Sequence, residues 1–158
     1  MVRLGSVDDF TTVMHMLDLC KADMKTRGLN FWNDTYPDKN IIMSDLMSGK
    51  SVVYDLDGKV VAFLVMYPKK PSIIEESYRD HSNYVYVSRV MVHPEYRRHG
   101  YAQEILKFVE EQGFSSIRLL TRNTNTFSVN LYTKLGYKVV KEETKENVIM
   151  QHCEKVLK

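Results

Sequence analysis

The spacing of apolar residues changes along the chain, and it predicts helices in some segments and strands in others. Near the N-terminus the apolar positions recur every three or four residues, as in Val13 and Leu17, which is the period of an α-helix. From Ser51 onward the period is two, which is typical of strands, and Asp57-Gly58 supports the tight turn of a β-hairpin. The pattern therefore predicts a mixed α/β protein.

The predicted elements follow one another with no internal repeat and no linker. A structured loop is expected at 29–39, and a long polar excursion that contains Pro68 and Pro71 at 68–83. This organisation predicts a single domain over residues 1–158. In chain order the predicted elements are a strand at 2–4, helices at 9–25 and 38–47, strands at 51–56, 59–67 and 84–92, a helix at 101–112, a strand at 116–121, a helix at 124–135, and strands at 137–141 and 148–156.

Length and composition exclude several classes of protein. A chain of 158 residues, 44% hydrophobic and 27% charged, can bury an ordinary core and is neither disordered nor collagen-like. The formal net charge of +2 favours neither a nucleic-acid partner nor a membrane partner. No signal peptide is visible, and the longest apolar stretch, 60–67, is too short to cross a bilayer. We therefore expect a small cytoplasmic protein.

The two cysteines, Cys20 and Cys153, lie far apart in the sequence. No metal-ligand spacing surrounds either of them, so we expect no metal site. Both thiols are expected to stay reduced and to act as small apolar residues.

Candidate chemistry is concentrated in one segment, Val90 to Ala102, which combines a strand end, a short loop and the first turn of a helix. The start of a helix has unpaired backbone N–H groups and the positive end of the helix dipole, so it can hold an anion. Gly100 lets the backbone approach a phosphate, and Arg97 and Arg98 add positive charge. These residues predict a cradle the size of a pyrophosphate. The alternative is an ordinary loop with two arginines and a glycine before a helix.

This segment resembles a signature of the GNAT acyltransferases (Gcn5-related N-acetyltransferases). Arg97-Arg98-His99-Gly100-Tyr101-Ala102 is similar to the family's Arg/Gln-x-x-Gly-x-Gly/Ala motif. A later stretch resembles the family's Asn-x-x-Ala-x-x-Leu-Tyr helix and the Gly-Phe/Tyr after it, through Asn125, Ser128, Leu131, Tyr132, Gly136 and Tyr137. The order of elements is also similar to the GNAT fold along nearly the whole chain. The chain thus resembles a small bacterial-type GNAT protein of unassigned substrate.

The resemblance implies a central mixed, mostly antiparallel sheet flanked by helices, in which two parallel strands splay apart. It implies acetyl-CoA as the donor, bound between strands 84–92 and 116–121, where unpaired backbone groups would bind the pantetheine arm. The backbone of 90–92 would orient the thioester, and the amides of 98–102 would hold the pyrophosphate. The residues that the resemblance assigns to the cofactor are Val90, Met91, Val92, Arg97, Arg98, His99, Gly100, Tyr101, Ala102, Asn125, Ser128 and Tyr132.

The resemblance also assigns the role of general acid to Tyr132, which would protonate the CoA thiolate as it leaves. Simple packing on the helix is the alternative for this tyrosine. Many GNAT enzymes place a Glu base on the strand that enters the phosphate loop, but residues 87–90 contain no carboxylate. We therefore hypothesise a base that acts through water, with Ser88 in the relay. The excursion offers three acidic residues that could reach the site, Glu75, Glu76 and Asp80.

The acceptor is expected to be a primary amine that attacks directly in a ternary complex, because no Cys or Ser stands in a nucleophile arrangement. Trp32 and Tyr36 lie in a stretch that resembles a bacterial GNAT subgroup, and they could wall an acceptor pocket. A packed aromatic loop is the alternative. A small amine, an amino acid, a drug or a peptide N-terminus would each serve as acceptor, and a homodimer is left open. The alternative function is a non-catalytic CoA-binding sensor or interaction module.

Overall fold

The computed structural model describes residues 1–68, 70 and 72–158. Pro71, named in the predicted excursion, lies outside the described residues, as does Lys69. Within the described residues, seven strands and four α-helices follow the predicted order. They are β1 (Val2–Leu4), α1 (Phe10–Thr26), α2 (Lys39–Met47), β2 (Ser51–Leu56), β3 (Lys59–Pro68), β4 (Tyr84–Val92), α3 (Tyr101–Glu110), β5 (Ser116–Arg122), α4 (Thr126–Lys134), β6 (Lys138–Lys145) and β7 (Val148–Val156).

The boundaries differ from the predicted ones in a few places, each for a local reason. Helix α1 begins at Phe10 because a 3-10 turn capped by Ser6 comes before it. Helix α3 ends at Glu110, before the predicted end, in a turn that leads to Gly113 with a φ of 92°. Strand β6 extends to Lys145 because it pairs with β7 up to the turn that joins them.

The sheet holds the seven described strands in the order β1-β2-β3-β4-β5-β7-β6. The pairs β1–β2, β2–β3, β5–β7 and β6–β7 are antiparallel, whereas β4 and β5 are parallel. The parallel pairing covers only 84–86 against 116–118, although β4 continues to Val92 and β5 to Arg122. The predicted mixed, mostly antiparallel sheet is therefore confirmed, and the parallel pairing ends early, as splayed strands require.

The internal contacts divide the described residues into two compact units. The first unit comprises Met1–Val65 and Arg89–Phe108, and the second comprises Met66–Ser88 and Val109–Lys158. In the first unit α1 buries the face that its spacing predicts, through Val13, Met16, Leu17, Cys20 and Met24. The described part of the chain contains no helix with the length and apolarity needed to span a membrane. The assignment of the whole chain to one domain stays a prediction.

The second unit contains a fully buried arginine, Arg118 on β5, which is 0% exposed. Its guanidinium lies 3.9 Å from the centroid of the Tyr78 ring and 3.6 Å from that of Tyr84. It forms an ion pair with Glu75 and donates to the backbone carbonyl of Asp80 at 2.9 Å. A buried charge needs such partners, and three of them belong to the predicted excursion. Arg118 therefore ties the excursion to the sheet.

Further contacts within the second unit anchor the same excursion. The buried carboxylate of Glu154 on β7 accepts from the backbone amides of Arg79 and Asp80, each at 3.0 Å. The Asp80 carboxylate in turn accepts from the hydroxyls of Ser115 and Ser116 at 2.5 and 2.6 Å. The polar residues of the excursion are thus used to dock it.

Candidate active site

The loop between β4 and α3, in the first unit, presents a row of unpaired backbone amides. His93 begins the loop with a turn in which its Nδ1 accepts from the Glu95 amide at 3.1 Å. The backbone then takes left-handed conformations at Arg98, with a φ of 66°, and at Gly100, with a φ of 81°. Among the described residues, no acceptor faces the backbone N–H groups of 98–102. The predicted pyrophosphate residues therefore lie together as an array of free donors.

The start of α3 and the shape of the loop favour an anion at this array. The first intrahelical bond runs from the Glu104 amide to the Gly100 carbonyl at 3.0 Å, so the amides before it point out of the helix end. A Cβ atom added at Gly100 would meet no heavy atom within 4 Å, which leaves open space beside the backbone. The positive end of the α3 dipole adds to the attraction. The array fits a bulky, doubly charged group such as a diphosphate.

The side chains of the loop have different partners. Arg97 donates to the Asp23 carboxylate of α1 at 2.6 Å, whereas Arg98 is exposed and forms no ion pair with any described residue. The exposed His99 ring stacks on Tyr101 with centroids 5.7 Å apart, and its Nδ1 lies 2.8 Å from the Arg97 carbonyl. Arg97 and His99 thus hold the loop in shape, and Arg98 is left as the cation that faces solvent.

The strand that enters the loop carries the residues predicted for the pantetheine arm. Val90 is half-buried, and Met91 and Val92 are buried. The Val92 carbonyl accepts from the Cys20 thiol at 3.3 Å. Burial raises the pKa of Cys20 to about 11, so this thiol stays protonated and acts as a weak donor. The assignment of 90–92 to the pantetheine arm stays a prediction.

A second group of contacts in the first unit joins β4 to Tyr36, one of the two predicted acceptor residues. Arg89 has a left-handed backbone, with a φ of 53°, and its side chain is 9% exposed. Its Nε and Nη2 donate to the two carboxylate oxygens of Asp45 on α2 at 2.6 and 2.8 Å, and its Nη1 donates to the Tyr36 hydroxyl at 3.0 Å. Trp32, the other predicted acceptor residue, lies half-buried in the same loop as Tyr36.

The helical residues of the predicted site lie in the second unit. Asn125 caps α4, and its side-chain oxygen accepts from the Ser128 amide at 3.3 Å. Tyr132 is 6% exposed, and its ring centroid lies 5.5 Å from that of Tyr137. Burial raises the pKa of Tyr132 above its ordinary value. Ser88 lies half-buried on β4, and its part in a proton relay stays a prediction.

Two of the three carboxylates considered for that relay are engaged elsewhere. The Arg118 guanidinium lowers the pKa of Glu75 to about 2. Burial acts to raise the pKa of Asp80, but hydrogen bonds from Ser115 and Ser116 lower it overall. Both groups are therefore weak proton acceptors near neutral pH, which argues against either of them as the base. Glu76 is exposed.

Three residues that shape the candidate site, Asp23, Asp45 and Arg89, were not predicted from the sequence. Arg97 lies 74 residues from Asp23, and Arg89 lies 44 residues from Asp45. No periodicity or local motif reports a contact between side chains so far apart. The sequence held one indirect sign of Arg89. Residues 87–90 contain this arginine in a stretch where many members of the family that the chain resembles have a carboxylate.

Comparison with known proteins adds independent findings. Residues 14–137 match the model of the Acetyltransferase (GNAT) family. N-alpha-acetyltransferase 20 of Dictyostelium discoideum is 29% identical over 120 residues, which cover 71% of this chain and 64% of that relative, so the match spans less than two thirds of its length. The S-alkylcysteine N-acetyltransferase of Bacillus subtilis (strain 168) is 23% identical over 163 residues, which cover 98% of this chain and 88% of that protein.

Solved structures share the fold. A GNAT-family acetyltransferase from Streptococcus agalactiae 2603 has a TM-score of 0.86 and 21% identity, covering 99% of this chain and 94% of that one. The yncA protein of Salmonella typhimurium, solved with its cofactor acetyl-CoA, has a TM-score of 0.72 and 16% identity, covering 100% of this chain and 94% of that one.

Proposed function

Because the chain belongs to the Acetyltransferase (GNAT) family, a family of acyl-transferring enzymes, we propose that it is an N-acetyltransferase that moves an acetyl group from acetyl-CoA to a primary amine. The observation that carries the proposal is the row of unpaired amides at 98–102, with open space beside Gly100. Unpaired amides at the start of a helix are a common binding site for phosphate groups. The acetyl-CoA in the yncA structure and the names of both relatives support the choice of donor and of reaction.

In the first unit the proposed roles follow the positions of the donors. The amides of 98–102 hold the two phosphate groups, and the Arg98 side chain neutralises part of their charge. Backbone groups of 90–92 bind the pantetheine arm and orient the thioester carbonyl. Acetyl-CoA supplies an acetyl group activated as a thioester. Arg97 acts through Asp23, because their ion pair fixes the loop that carries the amides.

In the second unit we assign Tyr132 as the general acid and Asn125 as a contact for the cofactor arm. The amine nitrogen forms a bond to the thioester carbonyl carbon, the C–S bond breaks, and the sulfur leaves with the electron pair. The hydroxyl of Tyr132 gives its proton to that sulfur. A phenol is protonated at neutral pH, as the role requires, and burial raises the pKa of Tyr132 further above that range. The amine loses its proton to water, with Ser88 in the relay, and Tyr132 regains a proton from solvent.

A thiol-release screen tests this function. The protein is mixed with acetyl-CoA and a panel of primary amines at several pH values, and free CoA thiol is measured together with the mass of the acetylated amine. We expect thiol release that depends on both protein and amine, with one acetyl group added per thiol released. CoA binding without release for any amine would instead support the non-catalytic sensor or interaction module. The absence of CoA binding would overturn both functions.

A further inference from the structure

The cluster of Tyr36, Asp45 and Arg89 lies in the first unit, next to the strand segment to which the proposed function assigns the thioester. Arg89 is joined directly to Val90, the first residue of that segment. Its side chain reaches the Tyr36 hydroxyl at 3.0 Å. The Arg89 side chain therefore links the Tyr36 hydroxyl to the backbone that is proposed to orient the thioester.

The ion pair at the base of the cluster is well defined. Arg89 and Asp45 have side chains that are 9% and 4% exposed, and two parallel N–H···O bonds join them at 2.6 and 2.8 Å. A bidentate, buried pair of this kind fixes the direction of the guanidinium plane. The Nη1 group at the remaining edge of that plane donates to the Tyr36 hydroxyl. Asp45 balances the charge of Arg89, so the pair is neutral as a whole.

The bond from Arg89 determines how Tyr36 can act. The guanidinium donates to the phenol oxygen, so the oxygen is used as an acceptor and the O–H remains as the donor. No described residue accepts from that hydroxyl, and Tyr36 is 40% exposed. A hydroxyl whose oxygen is held by a cation offers its hydrogen in a restricted direction. An oxygen acceptor on a ligand is the partner that the Tyr36 O–H fits best.

We infer that Tyr36 is a specificity-determining residue for the acceptor, and that Arg89, held by Asp45, is the positioning residue that aims it. This inference rests on the proposed function. The acceptor is an α-amine that carries an oxygen on the carbon next to its amine-bearing carbon, either a carboxylate or an amide carbonyl. Because the donor that Tyr36 offers is a neutral O–H, the oxygen and not a negative charge is what is recognised. An alkyl amine without that oxygen leaves the donor unpaired when water is excluded.

Matched sets of three acceptors test the inference. Each set holds a free amino acid, its amide and the decarboxylated amine, with the same side chain; methionine and phenylalanine give two such sets. Wild type is expected to use the amino acid and the amide with a kcat/KM about 10- to 100-fold above that of the amine, the effect of leaving one hydrogen-bond donor unpaired in the complex. Equal use of the amino acid and the amide, compared per unprotonated amine, supports recognition of the oxygen, and use of the amino acid alone would show a need for charge that contradicts recognition by a neutral hydroxyl.

Three variants locate the effect. Tyr36→Phe removes only a partly exposed hydroxyl, and it is expected to bring all three acceptors within about 3-fold of one another, mainly through KM. Arg89→Lys keeps the charge but not the fork, and it should lose the same selectivity. Tyr84→Phe, which keeps its ring over Arg118, is the control and should retain full selectivity. A selectivity that survives in Tyr36→Phe, or an equal loss for all three acceptors, would overturn the inference.

A binding measurement separates this inference from the proposed function. The three members of each set are titrated by calorimetry into protein saturated with CoA, where no turnover occurs. Tighter binding of the amino acid and the amide than of the amine, lost in Tyr36→Phe, supports the inference even if no acceptor is acetylated. The same affinity for all three members, or no binding by any of them, contradicts the inference and leaves the thiol-release result to decide the proposed function.

Discussion

The Arg97 guanidinium donates to the Asp23 carboxylate at 2.6 Å, so helix α1 holds the phosphate loop through one of its two arginines. Asp23 also pairs with Arg27 of the turn that ends α1, at 3.0 Å. The neighbouring Arg98 has no ion pair among the described residues and faces solvent. The two arginines of the motif therefore have separate roles: Arg97 stabilises the conformation of the loop, and Arg98 provides its positive charge.

Substitution of each arginine should separate these tasks. Arg98→Gln is expected to weaken CoA binding about 3- to 10-fold, the effect of a partly exposed ion pair of about 1 kcal/mol, with the melting temperature unchanged. Arg97→Gln is expected to lower the melting temperature, because Asp23 loses one of its two arginine partners and the loop loses its ion pair to α1. Calorimetric titration with CoA at two salt concentrations and thermal unfolding give both numbers. If Arg97→Gln and Arg98→Gln had the same effects, the division of tasks would be wrong.

Tyr132 and Tyr137 provide a matched pair for the test of the general acid. Tyr132→Phe is expected to lower kcat about 100-fold with a much smaller change in the affinity for CoA, because the leaving thiolate loses its proton donor while the ring stays in place. Tyr137 is also buried, and its hydroxyl has no hydrogen-bond partner in the described part of the chain. Tyr137→Phe should therefore keep kcat and leave the protein as stable as wild type, or up to about 1 kcal/mol more stable.

The pH profile of the same variants adds a second check. Burial raises the pKa of Tyr132, so the hydroxyl stays protonated up to pH values above its ordinary value of 10. The wild-type kcat should show no alkaline fall from Tyr132 below pH 10. Such a fall at lower pH that disappears in Tyr132→Phe would contradict the assigned burial of this side chain.

The ion pair between Glu75 and Arg118 should make stability depend on pH in the acid range. The folded-state pKa of Glu75 is about 2, below the ordinary value of 4.5, so the folded protein binds this proton less readily than the unfolded chain. The contribution is complete above pH 4.5 and is lost as the pH falls toward 2. Glu75→Gln should lower the free energy of unfolding at pH 7 by about 2 kcal/mol, the size of a hydrogen bond to a charged group.

Urea unfolding between pH 2 and pH 7 measures this dependence. The Glu75→Gln curve should be flatter than that of wild type over the acid range. Glu76→Gln is the control, since Glu76 is the exposed neighbour with the same chemistry, and its curve should follow wild type. Parallel curves for wild type and Glu75→Gln would show that the pair does not form in solution.

The two thiols should be unreactive in the folded protein. Burial raises the pKa of both Cys20 and Cys153 to about 11, so little thiolate forms near neutral pH. A chromogenic disulfide reagent at pH 7.5 should detect no protein thiol in the native state and both thiols in urea. Rapid labelling of the native protein would place at least one cysteine at the surface, contrary to the structure.

The sequence predicted the elements well because they depend on local information. Periodicity identified α1 and the hairpin of β2 and β3, and a glycine before a predicted helix identified the loop at Gly100, where the backbone has a φ of 81°. The free amides of 98–102 are a direct consequence of that local geometry. This part of the candidate site is therefore predictable from the amino-acid sequence alone.

The parts that were not predicted depend on contacts between distant side chains. Arg118 is fully buried, although a charged residue on a strand is usually expected to face solvent. Its burial requires Glu75, which lies 43 residues away, and the rings of Tyr78 and Tyr84. The sequence pattern of the excursion therefore indicated a loose polar segment whose acidic residues were available for catalysis. Only the fold shows that two of them are used in packing.

The most direct test of the central claim is calorimetric titration of CoA into wild type, Gly100→Ala and Gly49→Ala. Gly49 matches Gly100 in its left-handed backbone, with a φ of 72° against 81°, and in having no atom within 4 Å of an added Cβ. Both variants should therefore lose similar stability. Only Gly100→Ala places a methyl group beside the amides of 98–102, so it should weaken CoA binding about 10-fold or more while Gly49→Ala binds like wild type. No heat of binding in wild type, or equal affinity in the two variants, would contradict the claim that this loop binds the diphosphate of CoA.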